Sequence, residues 1–457
     1  MCVGSMFCSS IMNPAVVQGF LLKIYKDTNT WLTRMKRILI YAHYYAPDVA
    51  STGQILQDLA EGMTGEFDVT VICTVPSYMG SIAERYRKKR FYREKKNGVT
   101  LIRVPVPEFS KSSKRSRIIN IITYYLNARK ATHLVGDQEY VFAISQPPIL
   151  GGMLGVYGKR VLRATDGNHP KLIYNIQDFN PEQIEAVGYL KAKPIINLLR
   201  WLDKRSCRQS DLIITVGRDL VETLKKRFKY EKVPNHKLIN NWADESALYP
   251  LEDSNPKVVE FRSRYGLDDK FVFMYSGNLG LYYDLDGLIR VIEKFKNAKT
   301  KDGREVAFAF VGAGSMLNNL TEYKMEHQLD NVIFIPYQDK DKLIYSLNSA
   351  DVHFCLSARG IKGVSCPSKF YGIAAVGKPV LAILEEGSEI EMLIRDIGCG
   401  RVAEPGHYDE IITILEEFLS CETDSFTVMG TKAREYMMKF LSMPTCINKY
   451  KRFISRL

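Results

Sequence analysis

A pattern of short β-rich runs alternating with helical periods occurs twice along this chain of 457 residues and restricts its fold most strongly. The first series starts at Met35, directly before the buried-type strand Ile38–Ala42. The second starts after a polar segment with two prolines, Tyr249–Pro256. Strands that alternate with helices indicate a parallel, doubly wound α/β sheet. We therefore predict two Rossmann-like doubly wound domains that face a cleft, where ligands meet the carboxyl ends of the strands.

The predicted elements define the domain boundaries. The first series predicts strands at 38–42, 69–74, 100–104, 140–145, 171–176 and 212–216, with helices near 118–134, 151–165, 192–208 and 218–229. The second predicts strands at 271–276, 305–311, 331–335, 352–356 and 379–384, with helices at 284–297, 315–326, 341–348 and 368–376. The resulting division is an extension at 1–34, a first domain at 35–245, a linker at 246–256, a second domain at 257–430 and a C-terminal helix at 431–457 that packs back on the first domain.

The extension at 1–34 is interpreted as disordered or untranslated, with a short amphipathic surface arm as the alternative. A secretory signal is disfavoured because the apolar part, Ala15–Leu22, is short and precedes Lys23 and Lys26. Nine scattered cysteines form no CxxC pair, which speaks against a metal site or a disulfide framework. A reducing cytosol fits this cysteine usage best.

Positive charge is concentrated in one stretch. The net charge is +12, and thirteen Lys and Arg lie between Arg85 and Arg117, with only Glu84, Glu94 and Glu108 as acids in or beside that stretch. The cations are interleaved with aromatic residues in the segment Arg85–Lys96, and a second basic set precedes the apolar run Ile118–Leu126. The aromatic residues are Tyr86, Phe91 and Tyr92, and the second basic set is Lys111, Lys114, Arg115 and Arg117. This pattern predicts peripheral, salt-sensitive binding to an anionic membrane surface, without a spanning segment. The alternative is a solvated loop before a core helix, and no nucleic-acid-binding module is indicated.

Glycine-containing turns follow the first strand of each domain. Gly53 stands at the start of the helix after the first strand, where free amides favour an anion. In the second domain, Gly277 and Gly280 enclose Asn278 and Leu279 after a strand, and glycine allows a backbone to approach a phosphate closely. Either turn could equally serve only to reverse the chain, so the two together carry more weight than one.

Two further motifs carry charged groups into the predicted cleft. Pro367, Ser368 and Lys369 combine a helix start with a hydroxyl and a cation, which suits a diphosphate. Asp178 follows the strand Lys171–Ile176, so its carboxylate would reach the cleft and could orient or deprotonate an acceptor hydroxyl. The alternatives are an ordinary helix cap with a solvated lysine, and a carboxylate that caps a turn.

Taken in order, these segments resemble the family 4 glycosyltransferases of GT-B fold, with a likeness to the WbuB/WcaI-like branch that builds bacterial surface polysaccharides. The likeness covers about residues 35 to 450. The matching segments are Tyr44–Gly53, Pro76–Gly80, Gln177–Gly188, Asn241–Asp244, Ser276–Leu281, Phe310–Gly314 and Pro367–Val380.

The resemblance implies retaining transfer of a sugar from a nucleoside-diphosphate sugar to a lipid-linked saccharide, at the inner face of the cytoplasmic membrane, with no cofactor and no metal. It implies catalytic roles for Asp178, beside the reacting centre, and for Lys369. The donor would contact Gly53, Gly277, Asn278, Leu279, Gly280, Tyr337, Ser368 and Lys369, with Tyr337 bordering the nucleobase. The acceptor side would include Tyr45, Pro47, Tyr78, Asn180 and Glu182.

The chain also departs from the family pattern. Val364 and Gly372 occupy the positions of two glutamates found in many relatives, and Asn278 and Asp286 occupy those of the usual Arg and Lys phosphate pair. Two alternative functions therefore remain: a nucleotide-sugar epimerase of the same fold, and a non-catalytic nucleotide-sugar binding module. An epimerase would need clustered acidic and His residues, and the seven His of this chain are not clustered.

Overall fold

The computed structural model describes residues 35–48, 50–110, 113–186, 188 and 191–457, which contain two α/β units, each built on one twisted sheet. The extension at 1–34 and Lys111 of the predicted membrane-binding set lie outside these residues.

The first unit is built on a sheet of eight strands. In chain order they are β1 (Lys36–Tyr41), β2 (Phe67–Thr74), β3 (Tyr92–Lys96), β4 (Val99–Val104), β5 (Tyr140–Ile144), β6 (Lys171–Ile176), β7 (Leu212–Thr215) and β8 (His236–Leu238). The spatial order is β3-β4-β2-β1-β5-β6-β7-β8, and all neighbours are parallel except the edge pair β3–β4. The helices of this unit are α1 (Ser51–Met63), α2 (Lys114–Thr132), α3 (Leu150–Val161), α4 (Glu182–Ala186), α5 (Lys193–Gln209) and α6 (Arg218–Arg227).

The second unit has a fully parallel six-stranded sheet. Its strands are β9 (Phe271–Ser276), β10 (Val306–Val311), β11 (Val332–Ile335), β12 (Val352–Leu356), β13 (Val380–Ile383) and β14 (Gly400–Ala403), in the order β11-β10-β9-β12-β13-β14. The helices are α7 (Pro256–Arg264), α8 (Leu285–Glu293), α9 (Leu317–Glu326), α10 (Leu343–Asn348), α11 (Lys369–Ala375), α12 (Glu389–Ile397), α13 (Tyr408–Ser420) and α14 (Thr423–Tyr436).

Both sheets are buried on their two faces, as parallel sheets must be when helices cover them. The central strands β1, β5 and β9 are runs of apolar residues that are almost completely buried. One face of the first sheet packs against α1, and the other packs against α2, α3 and α5. This layering brings the carboxyl ends of the strands of each unit to one edge, where the loops that carry the candidate site begin.

The last helix, α15 (Met443–Ile454), returns to the first unit after α14 and a π-helical turn at Met437–Leu441. Tyr450 is buried in the core of the first unit, where its hydroxyl accepts a hydrogen bond from Nδ2 of Asn175 (3.0 Å). Gly62 of α1 lies so close to Ile447 that a β-carbon there would approach its Cδ1 to 2.6 Å. The C-terminal helix therefore belongs to the first unit structurally, although it is distant in sequence.

The basic stretch differs from its prediction because its aromatic residues pack inward. Tyr86 is buried in the core of the first unit, and Phe91 and Tyr92 pack against that core. Residues Tyr92–Lys96 form the edge strand β3, whose Glu94 accepts a hydrogen bond from Nε of the buried Arg103 (2.8 Å). The Tyr86 ring is therefore not available as a membrane-interface anchor, and the Phe91 and Tyr92 rings are only partly exposed. Within the described residues, no helix combines the length and the apolar character needed to cross a bilayer.

Candidate functional site between the two domains

The candidate site is a cavity of about 260 Å³ between α1 of the first unit and α11 of the second. The first unit contributes the exposed face of α1 and the segment Trp242–Asp244. The second unit contributes Ser276, at the end of β9, together with Ser368 and Lys369 at the start of α11. The cavity therefore lies where the carboxyl ends of the strands of both units meet, as the doubly wound architecture requires.

Lys369 supplies positive charge to this cavity. Its Nζ lies 4.0 Å from the ring centroid of Tyr283 and 5.2 Å from that of Tyr275, so two aromatic faces hold the ammonium group. No carboxylate pairs with Lys369 among the described residues. A cation that lines a cavity without an anionic partner is suited to binding an anionic ligand.

Gly277 makes room for this lysine. A β-carbon at Gly277 would lie 2.2 Å from Cε of Lys369, so the lysine side chain occupies the space that any other residue would fill. Gly312 and Gly314 have a related role in the neighbouring loop, since β-carbons there would approach the carbonyl oxygens of Gly277 and Leu279 to 2.0 and 2.1 Å. The two glycine loops thus pack backbone against backbone under Lys369.

Only part of the predicted glycine loop presents polar groups. Leu279 is fully buried in the core, its amide donates to the carbonyl of Ala313 (2.9 Å), and its carbonyl accepts from the amide of Met316 (2.9 Å). Leu279 therefore anchors the loop and has no free backbone donor for a ligand, which corrects its predicted contact with the donor. Asn278 is exposed, and its carbonyl accepts a hydrogen bond from the hydroxyl of Tyr275 (2.9 Å). Gly280 is buried beside the Asn278 side chain.

Asp178 lies two residues after the end of β6, in the first unit. Its amide donates to Oγ of Ser145 (3.2 Å), and its Oδ2 accepts a hydrogen bond from Nε2 of Gln146 (3.5 Å). Burial raises the pKa of the Asp178 carboxyl above its ordinary value, and hydrogen bonds from Ser365, Gln146 and Gln183 oppose that rise. This carboxylate is held in place by neutral groups, and it can accept a proton more readily than an exposed Asp.

One segment of the second unit connects Asp178 with Lys369. We call Gly360–Cys366 the interdomain segment. Its Ser365 forms an antiparallel bridge with Asp178, and the Phe179 amide donates to the carbonyl of Val364 (2.7 Å). Because only Cys366, Pro367 and Ser368 separate Ser365 from Lys369, the position of the lysine is tied to that of the carboxylate.

The interdomain segment is fixed at its other end by two carboxylates. Oε2 of Glu385 accepts hydrogen bonds from the amides of Gly360, Ile361 and Lys362 at 2.8–3.0 Å. Oδ2 of Asp219, on α6 of the first unit, accepts from the amide of Gly363 (2.9 Å). Neither acid was predicted from the sequence. Gly360 and Gly363, which have no side chain beside their backbone amides, are the sequence signal that could have pointed to such partners.

The other residues predicted for the donor lie around the same cleft. Gly53 is buried in α1 and packs against the backbone of Tyr44, since a β-carbon there would meet the Tyr44 carbonyl oxygen at 3.0 Å. The hydroxyl of Ser368 makes no capping hydrogen bond to α11. Tyr337 is 57% exposed beyond β11. Partial burial raises the pKa of Tyr337, and electrostatic interactions with Asp339 and with Tyr78 of the first unit raise it further. Tyr78 therefore lies near Tyr337.

The residues predicted for the acceptor side differ in how far they are exposed. Tyr45 is 1% exposed and packs in the core of the first unit, which corrects its predicted place in the cleft. Pro47 is exposed, and Tyr78 packs its ring edge-on against Tyr44 with a centroid distance of 5.2 Å. Asn180 is 3% exposed, and neither amide atom of its side chain has a hydrogen-bond partner in the described part of the chain.

Glu182 takes part in a buried ion network. Its Oε1 accepts a hydrogen bond from Nε of Arg200 (3.0 Å), and its Oε2 pairs with Arg227, which also pairs with Asp203. Burial opposes ionisation of Glu182, but the charges of Arg227 and Arg200 outweigh it and hold the pKa of this carboxyl below its ordinary value. Glu182 thus stabilises the wall that carries Asn180, whose carbonyl accepts from Nη2 of Arg227 (3.2 Å).

Replacing Arg227 with methionine is expected to lower the free energy of unfolding by about 3–5 kcal/mol, because it leaves the buried carboxylate of Asp203 without a cation, whereas Glu182 keeps its pair with Arg200. Arg264→Ala, which breaks an exposed pair with Glu260, is the matched control and should cost less than about 1 kcal/mol. Denaturant titration measures both. The pKa of Glu182 in the folded state lies below the ordinary value of 4.5. The stability that the ionised Glu182 contributes to the wild type should therefore be present above pH 4.5 and be lost as the pH falls through that lower pKa. Equal stabilities for the two variants would contradict this interpretation.

Asp58 is a cavity residue that was not predicted from the sequence. It lies on α1, its Oδ2 accepts a hydrogen bond from Nε1 of Trp242 (3.2 Å), and it lines the cavity together with Lys340. Burial raises the pKa of its carboxyl, and the nearby charge of Lys340 opposes that rise. A helical spacing of seven from Ser51 places both residues on the same exposed face of α1, which is the signal that could have found it.

Known proteins with related sequences are described as glycosyltransferases. Residues 259–436 match the family described as glycosyl transferases group 1. A protein described as a glycosyltransferase, WbjE of Pseudomonas aeruginosa, is 28% identical over 267 residues, a match that covers 57% of this chain and 62% of WbjE. A protein described as a colanic acid biosynthesis glycosyl transferase, WcaI of Escherichia coli, is 21% identical over 91% of this chain and 98% of its own length.

Solved structures share the whole architecture. Sucrose-phosphate synthase from Thermosynechococcus elongatus superimposes with a TM-score of 0.71 at 13% identity, covering 92% of this chain and 98% of that one. HepE of Anabaena, in complex with UDP and glucose, does so with a TM-score of 0.65 at 15% identity, covering 93% and 100%. The fold is therefore that of the GT-B glycosyltransferases, as the motifs predicted.

Residues 259–436 are a glycosyl transferases group 1 domain, and the chain is a glycosyltransferase.

Proposed function

We propose that this glycosyltransferase moves a sugar, with retention at the anomeric carbon, from a nucleoside-diphosphate sugar to a lipid-linked saccharide. The process would be the synthesis of a surface polysaccharide such as a capsule, an O-antigen or an exopolysaccharide. The names of WcaI and of the UDP and glucose complex of HepE support these substrate classes. The observation that carries the proposal is Lys369, a cation with no carboxylate partner in the described residues, which lines the cavity between the two units and is tied to Asp178 by the interdomain segment.

The donor diphosphate would lie against Lys369, the Ser368 hydroxyl and the loop at Asn278 and Gly280. As the bond between the anomeric carbon and the diphosphate oxygen breaks, the electron pair leaves with the diphosphate. A cation held against two aromatic rings needs no rearrangement to stabilise that developing charge. Tyr337 would border the nucleobase, and the first turn of α1 at Gly53 would approach the diphosphate from the other domain.

The acceptor hydroxyl would approach beside Asp178, along the surface formed by Pro47 and Tyr78. The new bond forms between the acceptor oxygen and the anomeric carbon, and the proton passes to an oxygen of the departing diphosphate. Asp178 orients the hydroxyl through a hydrogen bond and is not a covalent nucleophile in this scheme. A lipid-linked acceptor further requires the enzyme to work peripherally, at the cytoplasmic face of the membrane.

A screen of nucleoside-diphosphate sugars by thermal shift is the first test. A ligand at 100 times its Kd stabilises the folded state by about 2.7 kcal/mol, so the true donor should raise the unfolding midpoint and others should not. Incubation with the selected labelled donor and a lipid-linked saccharide should then give a glycosylated lipid. Release of the nucleoside diphosphate without transfer would indicate hydrolysis. Donor binding without any turnover would indicate a binding module, and recovery of an altered donor sugar would indicate an epimerase. Each of these outcomes would overturn the proposal.

Gly277→Ala is expected to reduce turnover by about tenfold or more while the protein remains folded. The new methyl group would displace the flexible end of Lys369 and not the backbone, and a small misplacement of a catalytic group is costly. Gly303→Ala is the matched control because Gly303, like Gly277, has a positive φ, while a β-carbon there meets no atom within 4 Å. Steady-state kinetics and thermal unfolding of both variants check this expectation, and equal turnover in the two would contradict it.

A further inference from the structure

Two helices on one side of the first domain expose large apolar side chains. Helices α2 and α5 both pack against α3, which lies between them on the same face of the sheet. Seven of their apolar side chains are 46–56% exposed. On α2 they are Ile118, Ile119, Ile122 and Leu126, and on α5 they are Ile195, Leu198 and Trp201. We call these seven residues the apolar face.

The two helices that carry the apolar face are predominantly basic. Helix α2 contains Lys114, Arg115, Arg117, Arg129 and Lys130 and no acid. Helix α5 contains Lys193, Arg200, Lys204, Arg205 and Arg208, and its one acid, Asp203, is buried in the ion network with Arg227. The guanidinium of Arg205 lies 5.8 Å from the ring centroid of Trp201. Neither helix has an exposed carboxylate, and the acids next to them are Glu182 and Glu185 of α4, which pair with Arg200. The other cations of the two helices leave a strongly basic surface around the apolar face.

The position of the apolar face relates it to the acceptor side of the cleft. Helix α2 follows β4, and α5 follows β6 and α4, so both helices start at the edge of the sheet that carries Asp178. The exposed apolar residues of α5 lie in its first half, and those of α2 in its first two thirds. A surface that contacted both helices would lie beside the acceptor wall.

We propose that the apolar face is the surface that docks on an anionic lipid bilayer, with α2 and α5 lying against the headgroups. This inference rests on the proposed function, and it replaces the Arg85–Lys96 stretch as the main anchor. Aliphatic side chains and a tryptophan enter the boundary between headgroups and acyl chains, while the surrounding cations attract anionic lipids. A lipid-linked acceptor in the same bilayer would then present its saccharide to Asp178.

Trp201 provides a direct probe of docking. The chain has three tryptophans, of which Trp201 is 52% exposed and Trp242 is 6% exposed, while Trp31 lies outside the described residues. Adding vesicles of phosphatidylglycerol and phosphatidylcholine should shift the emission to the blue. The shift should be absent in Trp201→Phe and with vesicles of phosphatidylcholine alone at high salt. No shift with anionic vesicles, or an equal shift in Trp201→Phe, would overturn the assignment of this face.

Vesicle flotation with two double variants tests both helices. Ile119→Glu with Ile122→Glu, and Leu198→Glu with Trp201→Glu, should each weaken binding by at least about tenfold. Val259→Glu, an exposed apolar residue on a helix of the second domain, is the matched control and should bind like the wild type. Reversing Lys88, Lys89 and Arg90 to Glu should have a smaller effect than either double variant. Binding that tolerates both double variants would overturn the proposal, as would a concentration-dependent dimer that the same variants dissociate without any vesicle binding.

Turnover with a short-chain, water-soluble acceptor separates this proposal from the proposed function. The two double variants should retain wild-type turnover in that assay, and thermal unfolding shows whether they are folded. Vesicle docking by a wild-type protein that transfers no sugar would defeat the proposed function and leave the docking face standing. Transfer by a wild-type protein that does not bind anionic vesicles would support the proposed function and defeat the docking face.

Discussion

Replacing Lys369 with alanine is expected to lower the turnover of sugar transfer by tenfold or more, while the protein stays folded. A charge-assisted hydrogen bond contributes about 1.5–3 kcal/mol, and this one would act on the charge that develops on the leaving diphosphate. Steady-state kinetics with saturating acceptor measures the effect. The loss should appear in kcat because the interaction strengthens as the bond breaks.

Two further variants separate the charge of Lys369 from its packing. Lys369→Met keeps the aliphatic chain against Tyr275 and Tyr283 but removes the ammonium group, so its turnover should be as low as that of Lys369→Ala. Lys342→Ala, an exposed lysine within salt-bridge distance of Asp339, should behave like the wild type. A folded Lys369→Ala protein with wild-type turnover would show that this residue has no part in the chemistry.

Replacing Asp178 with asparagine is expected to depress transfer by about a hundredfold while donor binding is largely retained. In the proposed scheme the carboxylate orients the acceptor hydroxyl, and a misplacement of a reacting group by about 1 Å can cost about a hundredfold in rate. Asparagine preserves the shape of the side chain, so the bridge with Ser365 should survive. Donor affinity measured by calorimetry, beside the rate of transfer, distinguishes the two effects. An equal loss of donor affinity would move Asp178 to the donor side.

The pH dependence offers a second check on Asp178. Activity that requires its ionised form falls as the pH drops through its pKa, and burial raises that pKa above the ordinary value of 3.8. The acid limb of the wild-type profile should therefore lie at higher pH than an exposed Asp would give. Asp178→Asn should lose this limb, whereas a profile that keeps it unchanged would assign the titration to another group.

The central strands were predictable because their local sequence and their burial agree. The predicted bounds of β6, β9 and β12 match the structure, and each strand is a run of β-branched, aromatic and other apolar residues that is buried almost throughout. The edge strands β3, β8 and β14 were not predicted. Their side chains are partly solvated, so the alternation that identifies a strand is weak. For β3, the basic residues of the segment also predicted a membrane-binding surface instead of a strand.

The site was harder to predict because its parts meet across the fold. Asp178 and Lys369 were visible as residues that follow a strand and begin a helix, but the interdomain segment that ties them together joins positions almost two hundred residues apart. Tyr45 and Leu279 lie in the loops that follow the first strand of each unit, yet their side chains pack in the core. Sequence adjacency identifies a loop, and only the packing decides which of its side chains reach the cleft.

The most direct measurement of the proposed reaction is the anomeric configuration of the transferred sugar. The wild-type protein would be incubated with the nucleoside-diphosphate sugar selected by thermal shift and a lipid-linked saccharide, and the product analysed by NMR. The expected product is a lipid-linked saccharide extended by one sugar whose anomeric configuration equals that of the donor, formed at least tenfold more slowly by Lys369→Ala. An inverted linkage, a donor sugar returned in epimerised form, or hydrolysis with no extended lipid would contradict retaining transfer in this cleft.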